Sequence, residues 1–150
     1  MKPYFEKMAD LGQALKKGQI KRSEDALKQF KAAETEIDKE VDKVKQAGFS
    51  DEKINARGQM TVWQRLEYLI DPGTWSPLHT LYNPADNEEG TTNVIDGIGK
   101  ISGRWAVVIG FDNKVMAGAW LPGQSENILR VTDLAKRLNI PLVWLVNCSG

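Results

Sequence analysis

The sequence is poor in the residues that disulfide, metal and nucleophilic sites need. Its 150 residues include one cysteine, Cys148, and one histidine, His79. A single cysteine excludes an internal disulfide and favours a reducing compartment. Because His79 has no Cys or acid near it at ligand spacing, the sequence predicts no transition-metal site. We interpret His79 as a structural residue rather than a general base.

Net charge and long apolar runs are also absent. Lys+Arg and Asp+Glu both number 20, so the formal net charge is zero and no nucleic-acid-binding surface is expected. No segment approaches the ~20 consecutive apolar residues that cross a bilayer. Residues 1–17 fit neither a signal peptide nor a transit peptide. Since 41% of the residues are hydrophobic and 27% are charged, we expect a globular cytoplasmic protein.

The chemical character of the chain changes near Arg57. Residues 1–56 are rich in Lys, Glu, Asp and Gln, whereas all five tryptophans follow Arg57. We interpret residues 1–56 as a helical extension and residues 57–150 as the start of a mixed α/β domain. Because the sequence stops directly after a predicted strand, we expect this domain to be truncated.

The extension is predicted to contain two helices. Gly18 marks the end of the first, Ser23 is a good N-cap for the second, and Gly48 ends the second. The second helix carries an apolar stripe that skips Glu34. The stripe fits an assembly helix that contacts another subunit, or a helix that packs on its own domain. We favour the second interpretation, because a surface helix needs no partner to explain its stripe. The stripe consists of Leu27, Phe30, Ile37, Val41 and Val44.

The second part of the chain predicts a mixed sheet with helices. Thr61 and Gln64 form a capping box that opens a helix ending near Ile70, and turn residues follow at 71–73. Residues 83–92 are expected to form an exposed loop. Ser102-Gly103 is a hairpin signal, and the nearby glycines have the wrong spacing for a dinucleotide site. The predicted strands are Val94–Ile101, Trp105–Phe111, Val115–Trp120 and a buried parallel strand Leu142–Val146, with a helix at Ser125–Leu138.

Two loops of small residues are candidates for contact with a ligand. One contains residues 117–119, before the last helix, and the other contains residues 148–150, after the last strand. Small residues let a ligand reach backbone N–H groups, which stabilise an enolate oxygen in an oxyanion hole. On spacing alone, ordinary tight packing is the simpler explanation. We interpret Cys148 as a packing residue, because nothing in the sequence brings a base to it.

Five motifs, in order along the chain, resemble those of biotin-dependent acyl-CoA carboxyltransferases. Residues 61–66 and 70–75 match the family's Thr-Ala-Arg-Glu-Arg-Ile helix and Leu-Asp-Pro-Gly-Ser-Phe turn. The other matches are residues 97–104 to Gly-x-Gly-x-Ile-x-Gly-Arg, 112–119 loosely to Asp-Phe-Thr-Val-x-Gly-Gly-Ser, and 141–150 to Pro-Val-Ile-x-Leu-x-Asp-Ser-Gly-Gly. Departures at Trp63, Ala117, Asn147 and Cys148 argue against an ordinary propionyl-CoA or methylcrotonyl-CoA carboxylase subunit. Together with the helical extension, they make the chain resemble the α subunits of sodium-pumping glutaconyl-CoA decarboxylases most.

This resemblance implies a crotonase-like fold, a superhelix of β-β-α units that would here be partial and preceded by the helical segment. It implies transfer of the carboxyl group of glutaconyl-CoA to biotin carried on a partner subunit, which leaves crotonyl-CoA. By motif position, Ser149 and Gly150 would supply backbone oxyanion donors. The residues implied to line the substrate pocket are Ala117, Gly118, Ala119 and Cys148.

The resemblance also implies the surroundings of the chain. Its expected partners are an acyl-CoA thioester, a biotin carrier subunit, a membrane-embedded sodium-pumping subunit and further copies of the chain. No metal and no nucleic acid are expected. The chain would lie in the cytoplasm, attached to the inner face of the membrane through its partners. Two alternatives stay open: the carboxyltransferase of a propionyl-CoA or methylcrotonyl-CoA carboxylase, and a non-catalytic assembly module.

Overall fold

The computed structural model describes residue 12, residues 14–88 and residues 90–149. Contacts divide the chain into two compact units, Met1–Ile37 and Asp38–Gly150, which are described separately below. Residues 38–56 thus belong to the second unit, and the proposed domain boundary at residue 56 stays a prediction. Most of the helix expected before Gly18 falls outside the described residues.

The first described helix is longer than the sequence predicted. Helix α1 runs without a break over Lys17–Gln46, so neither the stop at Gly18 nor the N-cap at Ser23 is correct. The helix starts early because the Lys16 N–H donates to the Gln19 side chain (2.9 Å), which satisfies one of the unpaired amides at a helix start. Glycine is also tolerated better in a first turn than in a helix interior. The predicted stop at Gly48 is confirmed, with φ +75° two residues beyond the helix.

Two short helices follow in the second unit. Helix α2 spans Asp51–Asn55, and helix α3 spans Val62–Leu69. The predicted capping box is confirmed: the Thr61 N–H donates to Gln64 Oε1 (3.0 Å), and the Gln64 N–H donates to Thr61 Oγ1 (3.3 Å). These reciprocal bonds satisfy two of the free N–H groups that a helix start leaves.

One four-stranded sheet forms the centre of the second unit, with strands in chain order. The first three strands are antiparallel neighbours, and the fourth is parallel to the third after the crossover helix α4. The Ser102-Gly103 hairpin turn is confirmed by positive φ angles of +50° and +80°. The elements are β1 (Ser76–Leu78), β2 (Val94–Ile101), β3 (Arg104–Phe111), α4 (Gln124–Leu138) and β4 (Leu142–Leu145).

Helices cover both faces of this sheet. Successive strand residues point to opposite faces, so β3 sends Val107, Ile109 and Phe111 to α4 and Val108 to α3. On the α3 face, a Cβ on Gly110 would lie 2.4 Å from a methyl group of Val62. Glycine here lets a helix approach the strand closely. The second unit is therefore a three-layer α/β sandwich.

Three predictions about the second unit are wrong or only partly correct. Residues 115–120 do not form a strand, because Met116, Ala117 and Gly118 all have positive φ and form a 3-10 turn. The loop expected at residues 83–92 is present and largely exposed, but Thr91 and Thr92 at its end are buried at 2% and 1% exposure. Strand β4 is parallel as predicted but only half-buried, since it is the edge strand of this sheet. Strand β1 was not predicted.

Candidate functional site

The two small-residue loops border one cavity of about 260 Å³ in the second unit. Ala117 comes from the loop that follows β3, and Cys148 and Ser149 come from the loop that follows β4. Because β3 and β4 are parallel, both loops leave the same edge of the sheet. Ligands of α/β sheets commonly bind at the carboxyl ends of strands. The cavity therefore lies where the topology favours a binding site.

Asp112 shapes the first loop. It is 1% exposed, and its carboxylate accepts the Lys114 N–H (3.0 Å) while its carbonyl accepts the Val115 N–H (3.1 Å). Burial raises the pKa of Asp112 to about 6, opposed by the Lys114 N–H and the Lys114 ammonium group. A buried carboxylate at a turn of this kind stabilises one backbone path. The loop is consequently a fixed element.

Lys114 ties the same loop to the end of α1 and the start of α2. Its side chain is almost fully buried, and the ammonium group lies 3.0 Å from Asp51 Oδ1 and 2.8 Å from the Lys45 carbonyl. The Lys114 carbonyl accepts the Phe49 N–H (2.9 Å). A Cβ on Gly48 would lie 2.2 Å from that carbonyl oxygen, so only glycine fits there without movement. No sequence pattern predicts this anchor, because a charged residue in a loop is usually exposed.

Gly118 joins the two loops by backbone contact. Its φ is +76°, and a Cβ there would lie 2.1 Å from the Asn147 carbonyl oxygen. Its N–H donates to the Val115 carbonyl (2.9 Å), and the Ala119 N–H donates to the Met116 carbonyl (3.1 Å). Both amides are thus used inside the turn. Of the three predicted residues in this loop, only Ala117 lines the cavity.

The second loop supplies the remaining predicted residues. Cys148 is half-buried and Ser149 is exposed, and both line the cavity. Gly150 lies outside the described residues. The assignment of Ser149 and Gly150 as oxyanion donors, and of residues 117–119 and 148 as pocket residues, stays a prediction.

Five residues that line the cavity were not predicted as site residues: Ile54, Arg57, Gln59, Asn113 and Asn147. The Asn113 amide donates to the Met60 carbonyl (3.1 Å) and to Gln59 Oε1 (3.4 Å). Its own Oδ1 is buried and has no hydrogen-bond partner within the described part of the chain. Arg57 brings a permanent positive charge to the cavity. Arg57 and Gln59 lie far in sequence from both loops, so no local motif could have identified them, whereas Asn113 lies within the matched 112–119 motif but carries no family residue that marks it.

Two buried amide side chains connect the first loop to the start of α4. The Gln124 amide donates to Asn93 Oδ1 (2.6 Å), and the Asn93 amide donates to the Ala119 carbonyl (2.6 Å). Asn93 and Gln124 are fully buried. Buried amides of this kind stabilise a structure when they are hydrogen-bonded. The start of α4 is therefore connected to the loop before it.

His79 lies beside a buried carboxylate. Its Nδ1 is 3.2 Å from Asp96 Oδ1, and Asp96 is 1% exposed. Burial raises the pKa of Asp96 to about 6, and the charge and hydrogen bond of His79 oppose that rise. Neither residue lines the cavity. The structural role of His79 stays a prediction.

A larger, mostly apolar groove of about 510 Å³ lies elsewhere in the second unit. It is bordered by the end of α1, by α3 and by the turn after α3, and it includes Leu66, Ile70 and Trp75. None of the predicted site residues borders it. We place the candidate site in the smaller cavity, because both predicted loops, a cation and a polar amide converge there.

Two further observations concern metals and membranes. Across residues 14–88 and 90–149, no three His, Cys, Asp or Glu side chains are grouped closely enough to hold a metal ion. Among the helices that the structure describes, none has the length and apolar character required to cross a bilayer.

Comparison with known proteins decides the family. A family model, the carboxyl transferase domain, matches residues 53–150. The chain belongs to the carboxyl transferase family. Among solved structures of similar fold, transcarboxylase 12S superposes with a TM-score of 0.70 at 20% identity, over 77% of this chain and 24% of that one. The crotonase-like fold that the motifs implied is confirmed.

Two curated relatives show where the chain stands within the carboxyl transferase family. The glutaconyl-CoA decarboxylase α subunit of Acidaminococcus fermentans is 44% identical over all 150 residues, which make up 25% of that protein. The mitochondrial methylcrotonoyl-CoA carboxylase β chain of Dictyostelium discoideum is 31% identical over 123 residues, 77% of this chain and 21% of that one. The chain thus spans about a quarter of the length of these relatives.

Proposed function

We propose that this chain forms the thioester-binding side of a carboxyltransferase that decarboxylates glutaconyl-CoA. The observation that carries the proposal is the 44% identity to a glutaconyl-CoA decarboxylase α subunit, which extends over the helical extension as well as the sheet. Identity to the methylcrotonoyl-CoA carboxylase β chain is lower and covers less of the chain. The thioester is proposed to bind in the cavity that the two loops border.

The proposed reaction moves a carboxyl group without oxidation or reduction. The bond between the carboxyl carbon and the acyl chain breaks, and its electron pair spreads through the double bond onto the thioester oxygen. Biotin on a partner subunit supplies a ring nitrogen that accepts the carboxyl group and releases a proton. A proton then adds to the acyl chain and gives crotonyl-CoA. The negative thioester oxygen is the species that backbone N–H groups of Ser149 and Gly150 would stabilise.

Arg57 and Asn113 are proposed to position the substrate in the cavity. Glutaconyl-CoA carries a free carboxylate besides its phosphates, and a guanidinium group recognises either anion through paired N–H donors. The unsatisfied Oδ1 of Asn113 would accept a hydrogen bond from a substrate amide or an ordered water. Arg57→Gln should therefore raise KM about tenfold or more. The exposed Arg104→Gln is the matched control.

The proposal includes partners that the chain itself does not contain. Biotin is proposed to be carried by another subunit, because the relative with 44% identity is named as one subunit of its enzyme. A membrane-embedded sodium-pumping subunit would use the energy of decarboxylation, and it would hold the cytoplasmic chain at the inner face of the membrane. The subunit is expected to form a homo-oligomer.

The test is carboxyl transfer to free biotin by the longest gene product that carries this sequence. We expect carboxybiotin from glutaconyl-CoA, and none from methylmalonyl-CoA or 3-methylglutaconyl-CoA, the carboxylated products of the two rival carboxylases. Transfer from either of these but not from glutaconyl-CoA would show that the substrate is wrong. A folded protein with no calorimetric affinity for any CoA thioester would favour the non-catalytic assembly module.

A further inference from the structure

The described part of the first unit is a helix with an exposed apolar stripe. Within this unit the stripe consists of Ile20, Leu27, Phe30 and Ile37. All residues from Lys17 to Ile37 are exposed, including the large apolar ones. Ile20, Leu27, Phe30 and Ile37 have exposures of 43%, 56%, 71% and 54%. Apolar residues at regular spacing on an exposed helix are typical of a surface that packs against another helix.

The stripe follows the seven-residue repeat of a coiled coil. Ile20, Leu27 and Glu34 occupy one of the two inward positions of the repeat. Ser23, Phe30 and Ile37 occupy the other. Each inward set therefore contains two apolar residues and one polar residue. A partner helix must bring apolar residues to the apolar positions and a polar residue to each polar position.

We propose that this stripe pairs with the same stripe of a second copy of the chain, in antiparallel orientation and centred between Lys28 and Gln29. In that register Leu27 faces the partner's Phe30, and Ile20 faces the partner's Ile37. Ser23 faces the partner's Glu34, which can accept a hydrogen bond from the serine hydroxyl. Apolar inward positions then face apolar residues and polar inward positions face polar residues. The contact is two-fold symmetric.

The flanking residues fit the same register. Beside the seam on one side, Glu24 lies next to the partner's Lys31, and symmetry repeats this ion pair. Within the described residues, neither Glu24 nor Lys31 forms an ion pair in its own chain. On the other side, Ala26 lies next to the partner's Ala33, where small side chains permit close approach. Flanking charges of this kind determine partner choice and orientation in coiled coils.

Other arrangements are less favourable for physical reasons. Sliding the antiparallel pair by one repeat in one direction places Phe30 against the partner's Glu34, and sliding it in the other places Leu27 against the partner's Ser23. A parallel pair places Glu34 against the partner's Glu34, a like-charge contact inside the seam. The parallel pair also gains no flanking ion pair, because Ala26 and Ala33 then lie beside Lys31 and Asp38 of the partner subunit.

Site-directed cross-linking tests the orientation and the register. All variants carry Cys148→Ser in the full chain, so that the new cysteines are the only thiols. The double variant Ser23→Cys/Glu34→Cys should form a covalent dimer on mild oxidation. Each single variant should not, because like positions lie apart in an antiparallel pair. The two cysteines of one chain lie about 16 Å apart along the helix and cannot bond to each other.

Charge reversal tests the ion pair independently. Lys31→Glu places two acids together on each side of the symmetry axis and should weaken helix-mediated dimerisation about tenfold in low salt. Glu24→Lys/Lys31→Glu restores opposite charges and should recover the original affinity. Sedimentation velocity measures association, and circular dichroism checks that the helix content is unchanged.

Several outcomes would overturn the pairing. Cross-linking of either single variant would show a parallel pair, and absence of cross-linking in the double variant would show that the stripe does not meet a second copy. If Glu24→Lys/Lys31→Glu does not recover the original dimerisation affinity, the proposed register is wrong. The pairing does not depend on the reaction, so a failed carboxyl-transfer assay leaves it standing.

Discussion

Ile109 in β3 and Ile37 in α1 are the same residue type in opposite surroundings. Ile109 has no exposed surface and packs between the sheet and α4 in the second unit, whereas Ile37 in the first unit is 54% exposed. Ile109 belongs to a continuous apolar run, which is typical of a strand buried on both faces, and Ile37 belongs to a stripe with the period of a helix. The pattern therefore identifies the apolar face of an element, but not the surface that covers it.

Matched truncations should give the largest difference between the two regions. Ile109→Ala should lower the free energy of unfolding by about 2–5 kcal/mol, because it leaves a cavity in a closed core. Ile37→Ala should change it by less than about 0.5 kcal/mol, because an exposed side chain loses little burial. Urea unfolding at low protein concentration, where helix pairing does not contribute, measures both. Equal effects would show that the first unit has a covered core of its own.

Two glycine substitutions distinguish the stability cost of a backbone contact from the cost of an unfavourable backbone conformation. Gly118 and Gly103 have similar φ angles of +76° and +80°, but a Cβ at Gly103 meets nothing within 4 Å. Gly103→Ala should cost about 1 kcal/mol from conformation alone. Gly118→Ala should cost roughly 2–4 kcal/mol, because the Asn147 carbonyl must also move. Similar unfolding midpoints for the two variants would contradict the contact between the loops.

Acidic pH should stabilise the second unit through its buried carboxylates. Burial raises the pKa of Asp112 from its ordinary 3.8 to about 6, so the folded state keeps a proton that the unfolded chain has lost between those pH values. The free energy of unfolding should therefore fall as the pH rises from about 4 to 6. Asp112→Asn should remove roughly 1–3 kcal/mol of this change, and Asp96 should account for the remainder.

Thermal unfolding at pH 4, 5 and 6 measures this slope. The exposed Asp25→Asn in the first unit is the matched control. A slope that Asp112→Asn leaves intact would mean that the buried loop does not hold a proton.

Cys148→Ser should have the smallest effect. The residue is half-buried in the loop after the edge strand, and the swap changes its volume little. We expect a loss of stability below about 1 kcal/mol and retained turnover in the longest gene product. Abolished turnover in a folded Cys148→Ser protein would show that the thiol takes part in the chemistry.

The sequence predicted those elements whose signals are local. The Thr61–Gln64 capping box, the Ser102-Gly103 turn and the two strands of the hairpin are decided by neighbouring residues, and all are confirmed. The apolar composition of residues 115–120 predicts a strand, but Met116, Ala117 and Gly118 adopt a left-handed turn that brings Gly118 against the Asn147 carbonyl. Local composition does not reveal that kind of packing.

The candidate site was predictable only in part. The two loops were found because they contain small residues and match family motifs, and they do meet in space. Arg57 and Asn113 were missed because their place in the cavity depends on how α2 packs against the loop after β3. Likewise, no sequence signal indicated that Gly118 touches Asn147 rather than open space. Such contacts are decided by the fold as a whole.

The strand order has a consequence for synthesis on the ribosome. The hairpin of β2 and β3 consists of contacts close in sequence, so it can form as soon as Phe111 has emerged. Strand β4 pairs with β3 only after all of α4 has been made. The wall of the cavity that contains Cys148 and Ser149 is therefore the last part of the second unit to be assembled. Until then, the open edge of β3 is the surface that a nascent chain must keep away from other strands.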